Sequence, residues 1–171
     1  MTAPAPPGAP AAPAPPAPPP VVVTAQDLQR LPIAPGTVSV QPDRGWVLVN
    51  IDTIVFTDAT PQVLDTVVLG TPVRVGVSPV DYTWDFGDGS APVTTTVPGA
   101  PYPNHTVAHT YTRAAEAVSV GLTVRWSGQF EVNGSGVWQP VQGTAVTTAV
   151  SAPFDVRTVT VSLTDGSLPD H

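Results

Sequence analysis

The chain has 171 residues, of which 42% are hydrophobic and 11% are charged, enough apolar sequence to form one domain with its own core. It has 13 acidic residues against 6 arginines and no lysine, and the net charge of −7 disfavours binding to nucleic acid or anionic lipid. The chain has no cysteine, so disulfides, thiolate catalysis and cysteine-ligated zinc are excluded.

The N-terminal segment is dominated by Ala and Pro, with 10 of the chain's 23 prolines in the first 20 residues. Proline fixes φ and lacks an amide donor, so neither a helix nor a sheet propagates through it. Residues 1–23 are therefore expected to form a disordered spacer of polyproline II character. The sequence as written shows no signal peptide after Met1. It also has no run of roughly 18 apolar residues, so no membrane insertion is expected.

A short helix is predicted over 25–31, within a lead-in that extends over 24–36. Thr24 and Asp27 have the spacing of a capping box, in which each side chain bonds the backbone amide of the other residue. Pro32 is expected to end the helix, because proline cannot donate the next hydrogen bond.

Beyond residue 36 the apolar residues alternate with polar ones, which is the period of a half-buried strand. Short alternating runs separated by Pro and Gly are typical of an antiparallel β-sandwich, here of roughly seven to nine strands. The sequence therefore predicts an all-β, immunoglobulin-like fold over 37–164, followed by a flexible tail over 165–171. The predicted strands are 37–41, 46–49, 54–56, 73–77, 82–86, 118–124 and 159–163.

A protruding hairpin is predicted around Asn133 and Gly134, since an Asn-Gly pair favours the positive φ angles of a tight turn. The apolar runs 130–132 and 137–138 lie on either side of this pair. The following Ser-Gly pair leaves room for a loop of more than two residues.

Four aromatic side chains are candidates for a flat surface that contacts a sugar ring or a partner protein: Trp46, Trp126, Phe130 and Trp138. Trp126 lies in phase with the alternating residues before it, so it is assigned to the core. Phe130 and Trp138 lie on the hairpin, where a glycine or a bulge can reset the phase and expose a ring. These two residues are the best candidates for a ligand or partner contact.

The most informative run is 82–90, with the sequence YTWDFGDGS. On a strand, Tyr82, Trp84 and Phe86 share one face, so their rings are expected to anchor the core. The end of the run predicts a sharp turn. Its glycines permit unusual backbone angles, and its aspartates can accept hydrogen bonds from the amides of the loop.

The run WDFGDGS at 84–90, followed by HTY at 109–111 and the alternating strand 118–124, closely resembles the PKD (polycystic kidney disease) domain, an immunoglobulin-like β-sandwich. The core of the resemblance covers about 70–124. Where the family commonly has a glycine-containing turn, this chain has Arg-Ala-Ala-Glu-Ala over 113–117. The resemblance implies a structural motif formed by Trp84, Asp85, Phe86, Gly87, Asp88, Gly89, His109 and Tyr111.

The resemblance also implies an extracellular, non-catalytic module that holds, spaces or presents other parts of a surface protein. The Pro-rich segment is similar to that of PKD-containing bacterial surface proteins, so a location in the cell envelope or outside the cell is expected. The expected partner is a protein or a cell-wall polysaccharide, and the chain is expected to be a monomer. An alternative is an accessory carbohydrate-binding module that uses Phe130 and Trp138 beside a separate enzyme.

Metal binding is a weaker hypothesis. Asp81, Asp85 and Asp88 are candidate calcium ligands because calcium prefers oxygen donors, but their spacing is not that of an EF-hand loop, and a role in stabilising turns is favoured. His105 and His109 lie four residues apart on an expected strand, a separation of about 13 Å, so they cannot share a zinc ion.

No pattern of catalytic residues stands out. The chain shows no nucleophile elbow, no recognisable Ser-His-Asp order and no paired glutamates in an acid–base arrangement. The sequence therefore predicts that the chain is not an enzyme and needs no cofactor. A hydrolase built from Asp and His remains the alternative, and it predicts turnover by the isolated chain.

Overall fold

The computed structural model describes residues 20–159. Most of the predicted spacer and the whole predicted tail lie outside these residues. Within them the chain forms one short helix and eleven strands. The elements are α1 (Ala25–Arg30), β1 (Val38–Gln41), β2 (Trp46–Leu48), β3 (Asp52–Thr57), β4 (Gln62–Val68), β5 (Thr71–Asp85), β6 (Val93–Thr95), β7 (Ala108–Thr110), β8 (Ala115–Val118), β9 (Gly121–Val132), β10 (Gln139–Val150) and β11 (Phe154–Arg157).

The strands form three sheets. The largest has the order β10-β9-β5-β4, with β6 paired to the end of β5, and the smaller two have the orders β1-β3-β7 and β2-β11-β8. The predicted all-β architecture with antiparallel sheets is confirmed. The parallel pair β2–β11 is a correction, because alternation reports the strand period and not its direction. The predicted strand number was too low, in part because β6 and β7 have only three residues each.

The long strand β5 places its buried side chains in two phases. The odd-numbered valines over 73–77 are buried, and the even-numbered Tyr82 and Trp84 then continue the same buried face. The phase changes because the register with β9 shifts between Pro79 and Asp81, where one extra residue forms a bulge. The core therefore extends along the whole length of this strand.

The partner strand β9 keeps one phase along its length. The register shifts beside it arise from extra residues in β5 and in β10, so the strand itself carries no extra residue. On its inner face it buries Leu122, Val124, Trp126, Gly128 and Phe130, and on its outer face Glu131 is also buried.

Three predicted strands differ from the structure. The runs 73–77 and 82–86 belong to the single strand β5, because the bulge bends the strand without ending it. The run 118–124 is divided between β8 and β9, since the chain passes from a small sheet to the large one at Ser119. The predicted strand 159–163 falls almost wholly outside the described residues.

The helix α1 packs against the large sheet and forms part of the folded body. Its predicted capping box is present, with Thr24 Oγ1 accepting from the Asp27 amide at 3.2 Å and the Asp27 carboxylate accepting from the Thr24 amide at 3.0 Å. Leu28 is fully buried, and a Cβ on Gly128 would lie 2.8 Å from its Cδ1, so glycine permits this close approach. Val23, which was assigned to the spacer, is also buried.

Ala117 lies in β8, where the register with β11 shifts, within the segment 113–117 that stands where the resemblance leads one to expect a glycine-containing turn. Its φ is +51°, and a residue with a Cβ pays about 1–2 kcal/mol for this left-handed conformation. We expect Ala117→Gly to raise the free energy of unfolding by up to about 1 kcal/mol, since glycine relieves the strain but is more flexible when unfolded. Urea denaturation measures the change.

Ala114→Gly is the matched control, because Ala114 lies directly before β8 in the same segment, with a φ outside the left-handed region. This substitution only adds flexibility, so we expect it to lower the free energy of unfolding by about 0.5–1 kcal/mol. Equal losses in the two variants would contradict the strain assigned to Ala117.

Candidate functional site

The aromatic side chains of the sequence motif lie in the core. Tyr82, Trp84 and Phe86 are 4%, 0% and 2% exposed. The Trp84 indole Nε1–H donates to Thr95 Oγ1 at 3.2 Å, so the buried ring also has a polar partner on the neighbouring strand. The predicted common face of the three aromatic residues is present in the structure.

The turn after β5 has the backbone geometry that its glycines suggest. Gly87 and Gly89 have φ angles of +71° and +81°. Asp85 Oδ1 accepts a hydrogen bond from the Gly87 amide, and Asp88 Oδ1 accepts one from the Ser90 amide, both at 3.0 Å. The two aspartates thus hold the loop in place, as Asp side chains commonly do in turns.

The second half of the motif closes over this turn. The His109 Nε2–H donates to Asp88 Oδ2 at 2.8 Å, and the His109 ring stacks on Phe86 with a centroid distance of 4.0 Å. Tyr111 contacts the edge of His109 and donates its hydroxyl to the Phe86 carbonyl oxygen at 2.9 Å. We call these four residues, Phe86, Asp88, His109 and Tyr111, the latch.

The hydrogen bonds at the latch stabilise the ionised form of Asp88. Partial burial opposes ionisation, but the hydrogen bonds with Ser90 and His109 outweigh it and lower the pKa of the Asp88 carboxyl to about 2. Burial of the hydroxyl, with the negative charges of Asp88 and Asp85 nearby, raises the pKa of Tyr111. Tyr111 therefore stays a neutral donor at ordinary pH, and Asp88 stays a charged acceptor.

The lowered pKa of Asp88 predicts acid destabilisation. Because the folded pKa lies below the unfolded value of 3.8, the carboxylate stabilises the native state above about pH 4, and this contribution is lost as the pH falls towards 2. With a side chain that is 24% exposed, we expect a loss of about 1–2 kcal/mol across this range.

Chemical denaturation at pH values between 2 and 7 measures this effect. Asp88→Asn should be less stable than the parent at pH 7 and should lose less stability between pH 4 and pH 2, because it lacks the titrating group. Identical pH slopes for the parent and the variant would contradict the role assigned to Asp88.

The candidate calcium ligands do not meet at one point. Asp81 is paired with Arg125, whose Nε donates to it at 2.9 Å, whereas Asp85 and Asp88 bind loop amides. Within residues 20–159, no group of three or more His, Asp or Glu side chains is arranged to hold a metal ion. The two histidines make separate contacts, because His105 stacks on Tyr102 whereas His109 bonds to Asp88.

Phe130, one of the two candidate contact residues, is 3% exposed. The expectation that the alternation could reset before it is wrong, because the extra residues lie in the neighbouring strands and β9 keeps its phase. Phe130 is therefore a core residue and cannot contact a ligand in this conformation.

Apart from Trp138, the other aromatic candidates are also buried or covered by neighbouring side chains. Trp126 is fully buried, as its phase predicts, and its Nε1–H donates to Thr147 Oγ1 at 2.8 Å. The Trp46 ring is half-buried and lies under the Arg44 guanidinium, whose central carbon is 3.7 Å from the ring centroid. Cation–π contact thus covers a face that a sugar ring would otherwise need.

Trp138 is 39% exposed and lies over Gly76 on the outer face of the large sheet. A Cβ at Gly76 would lie 3.4 Å from the indole Cζ3, an ordinary van der Waals distance, so the ring packs closely on β5 at this glycine. The indole forms one wall of a shallow groove of about 330 Å³. The groove is lined by Pro61, Gln62, Val63, Gly76, Val77, Ser78, Ser127, Gln129 and Trp138.

A buried carboxylate fixes the loop that carries Trp138. Glu131 accepts from Arg74 Nη1 and from the Gly136 amide, each at 2.8 Å, and its side chain is only 3% exposed. Asn133 and Gly134 both have positive φ, as predicted for the turn, which the Ser135 amide closes.

Sequence reasoning missed both Gly76 and Glu131 as parts of this region. A glycine inside an alternating strand often marks a place where another group packs closely on the backbone, so Gly76 could have been found from the sequence.

Comparison with protein families agrees with the motif geometry. The profile described as the PKD domain matches residues 38–124, more than half of the chain. The chain belongs to the PKD domain family. Comparisons with curated proteins and with solved structures gave no significant match.

The PKD match contains the complete latch and ends at Val124, inside β9. The helix α1, the strand β10 and Trp138 lie outside the matched residues. PKD domains are generally non-catalytic structural modules, and they typically occur in extracellular and surface proteins. Over residues 20–159 the helical structure is too short and too polar to cross a membrane.

Proposed function

We propose that the chain is a non-enzymatic structural or protein-interaction module of the cell envelope or extracellular space. In this role the β-sandwich holds or presents neighbouring parts of a surface protein, and the Pro-rich segment separates it from them. Family membership supports the general role, and the latch supports the absence of catalysis.

The observation that carries this proposal is the use of the motif's ionisable groups within the fold. Asp88 and His109 bind each other, Asp85 binds the loop amide, and Tyr111 binds a backbone carbonyl. A general acid or base must reach a proton of the substrate. These groups instead reach other atoms of the protein, and the hydroxyl of Tyr111 is buried.

Carbohydrate binding is a second candidate, and the exposed indole of Trp138 favours it. Aromatic faces with nearby amide and hydroxyl groups suit sugar rings, and Gln129 and Ser127 line the same groove. Of the two aromatic residues that the sequence predicts for such a surface, only Trp138 is exposed, because Phe130 is buried. Carbohydrate binding through the hairpin is therefore the weaker of the two proposals.

The location is tested by fractionating cells that express the native protein, with surface proteolysis of intact cells and mass-spectrometric mapping of the N-terminus. We expect recovery from the envelope or the medium, with the chain accessible to protease added outside. Recovery from the cytoplasm alone, protected from protease until lysis, would overturn the proposed surface role.

The absence of catalysis is tested with the isolated chain and with Asp88→Asn. Incubation with polysaccharide and peptide substrates should give no turnover above that of buffer. Turnover that Asp88→Asn abolishes, while the variant remains folded, would overturn the non-enzymatic assignment and assign catalysis to the latch.

A further inference from the structure

The tip of the β9–β10 hairpin is an exposed tight turn with an Asn-Gly pair at its centre. Asn133 and Gly134 have φ angles of +53° and +65°, and both residues are exposed. The Ser135 amide closes the turn on the Val132 carbonyl oxygen at 3.1 Å, and the Asn133 amide donates to the Pro72 carbonyl oxygen at 3.0 Å. Within residues 20–159 the Gly134 amide has no backbone acceptor, so this nitrogen is open to solvent.

This pair has the composition that favours deamidation, in which the amide nitrogen after an asparagine attacks the asparagine side chain. Glycine favours the attack, because it has no side chain to block the approach and its backbone adopts many angles. The chain has two other asparagines, Asn50 and Asn104. Asn50 precedes the β-branched Ile51, whose amide is bonded within its own turn at 3.4 Å. Asn104 precedes His105, whose ring is stacked on a neighbouring tyrosine, so Asn133 is the asparagine best placed to react.

The Asn-Gly turn lies beside a shared arginine. Asn133 and Gly134 line one shallow hollow together with Asp65 and Arg74. The guanidinium of Arg74 bonds to Glu131 through Nη1 at 2.8 Å, and its Nε lies 3.7 Å from the Asp65 carboxylate. Arg74 therefore already serves two carboxylates, and conversion of Asn133 to an acid would place a third beside it.

The contact between Arg74 and Glu131 supports the loop that carries Trp138. Glu131 accepts from the Gly136 amide at 2.8 Å, two residues before Trp138, and its side chain is only 3% exposed. A buried carboxylate depends strongly on its partners. A new negative charge at position 133 would compete for Arg74 and repel Glu131, which weakens the link between β9 and this loop.

We propose that Asn133 is a site of spontaneous deamidation and that the reaction loosens the loop that carries Trp138. The Gly134 nitrogen loses its proton to hydroxide and forms a bond to Cγ of Asn133, while the bond from Cγ to the side-chain nitrogen breaks and ammonia leaves. Water then opens the resulting succinimide ring and yields aspartate or isoaspartate. In total one water enters and one ammonia leaves.

The two products disturb the hairpin in different ways. Both add a negative charge beside Arg74. Isoaspartate also carries the backbone through its side chain, which adds one carbon to a tight turn whose geometry depends on its length. The reaction thus converts a closed hairpin tip into a looser one as the protein ages, and this inference does not rest on the proposed function.

Ageing the folded full chain at mildly alkaline pH tests the reaction. Trypsin cleaves after arginine, which places the three asparagines in separate peptides, 45–74, 75–113 and 126–157. We expect peptide 126–157 to gain the mass difference between an amide and an acid before the other two change, with fragmentation placing the gain at Asn133. No gain at Asn133, a faster gain at Asn50 or Asn104, or a gain only in urea would overturn the proposed site.

Hydrogen exchange of fresh and aged samples tests the loosening. Asn133→Gln is the matched control, because it keeps a side-chain amide but would have to close a larger and less favourable ring. Each protein is compared with its own fresh sample, and we expect residues 134–138 to lose exchange protection in the aged parent alone. Unchanged protection in the deamidated parent, or an equal loss in the aged control, would overturn the proposed effect on the loop.

Discussion

Replacing Trp84 by alanine is expected to lower the free energy of unfolding by about 3–5 kcal/mol, the usual cost of emptying a large aromatic site in a core. Trp84 is fully buried at the end of β5, where its ring packs against the inner face of the sandwich. A loss of this size is a large part of the stability of an ordinary domain. Urea denaturation followed by far-UV circular dichroism measures it.

Thr95→Val separates the cavity from the hydrogen bond. It keeps the shape of the side chain but removes the hydroxyl that accepts from the Trp84 indole N–H and donates to the Val97 carbonyl oxygen, at an expected cost of about 1–2 kcal/mol. A loss below about 1 kcal/mol for Trp84→Ala, or a loss no larger than that of Thr95→Val, would contradict the core position assigned to Trp84.

Gly87→Ala is expected to lower the free energy of unfolding by about 2–5 kcal/mol. The substitution places a Cβ at a φ of +71°, which costs about 1–2 kcal/mol. The same Cβ would stand 2.5 Å from the Ser119 carbonyl oxygen, and relieving such overpacking costs about 1–3 kcal/mol more. Because that oxygen belongs to the backbone, no side-chain rotation can make room.

Gly89→Ala is the matched control for this substitution. Gly89 lies two residues away with a φ of +81°, but a Cβ there would meet no atom within 4 Å. Only the conformational cost of about 1–2 kcal/mol applies. If the two variants were equally stable, the close approach between the motif turn and Ser119 would be contradicted.

Most of the motif was predictable from the sequence because its signals are local. Alternation places Tyr82 and Trp84 on one face whatever they pack against, and the glycines of a tight turn show their backbone requirement directly. The capping box at Thr24 and the Asn-Gly turn at Asn133 are local in the same sense. Each of these features is found in the structure.

The burial of Phe130 was not predictable because it depends on neighbouring strands. The bulges that set the register lie in β5 and β10, whereas a single sequence shows only the alternation of β9. The strand β4 was missed for a related reason. Val63 and Val67 are exposed on it while Leu64 and Val68 are partly buried, so apolar residues occupy both faces and the alternation is lost.

The candidate groove required tertiary contacts that no local pattern encodes. Trp138 reaches Gly76 across the sheet, and Glu131 is covered by the loop that it anchors. A glutamate on the outer face of a strand would ordinarily be exposed. Its burial follows from the loop folding back, which only the assembled hairpin reveals.

The central claim is that the acidic and histidine residues of the motif serve the fold through their contact with each other. A double-mutant cycle with Asp88→Ala, His109→Ala and the double variant measures this contact, because the other interactions of each side chain cancel. At pH 7 we expect a coupling free energy of about 1 kcal/mol, which should decrease as the pH falls towards 2 and Asp88 becomes protonated. A coupling within about 0.3 kcal/mol of zero at pH 7 would contradict it.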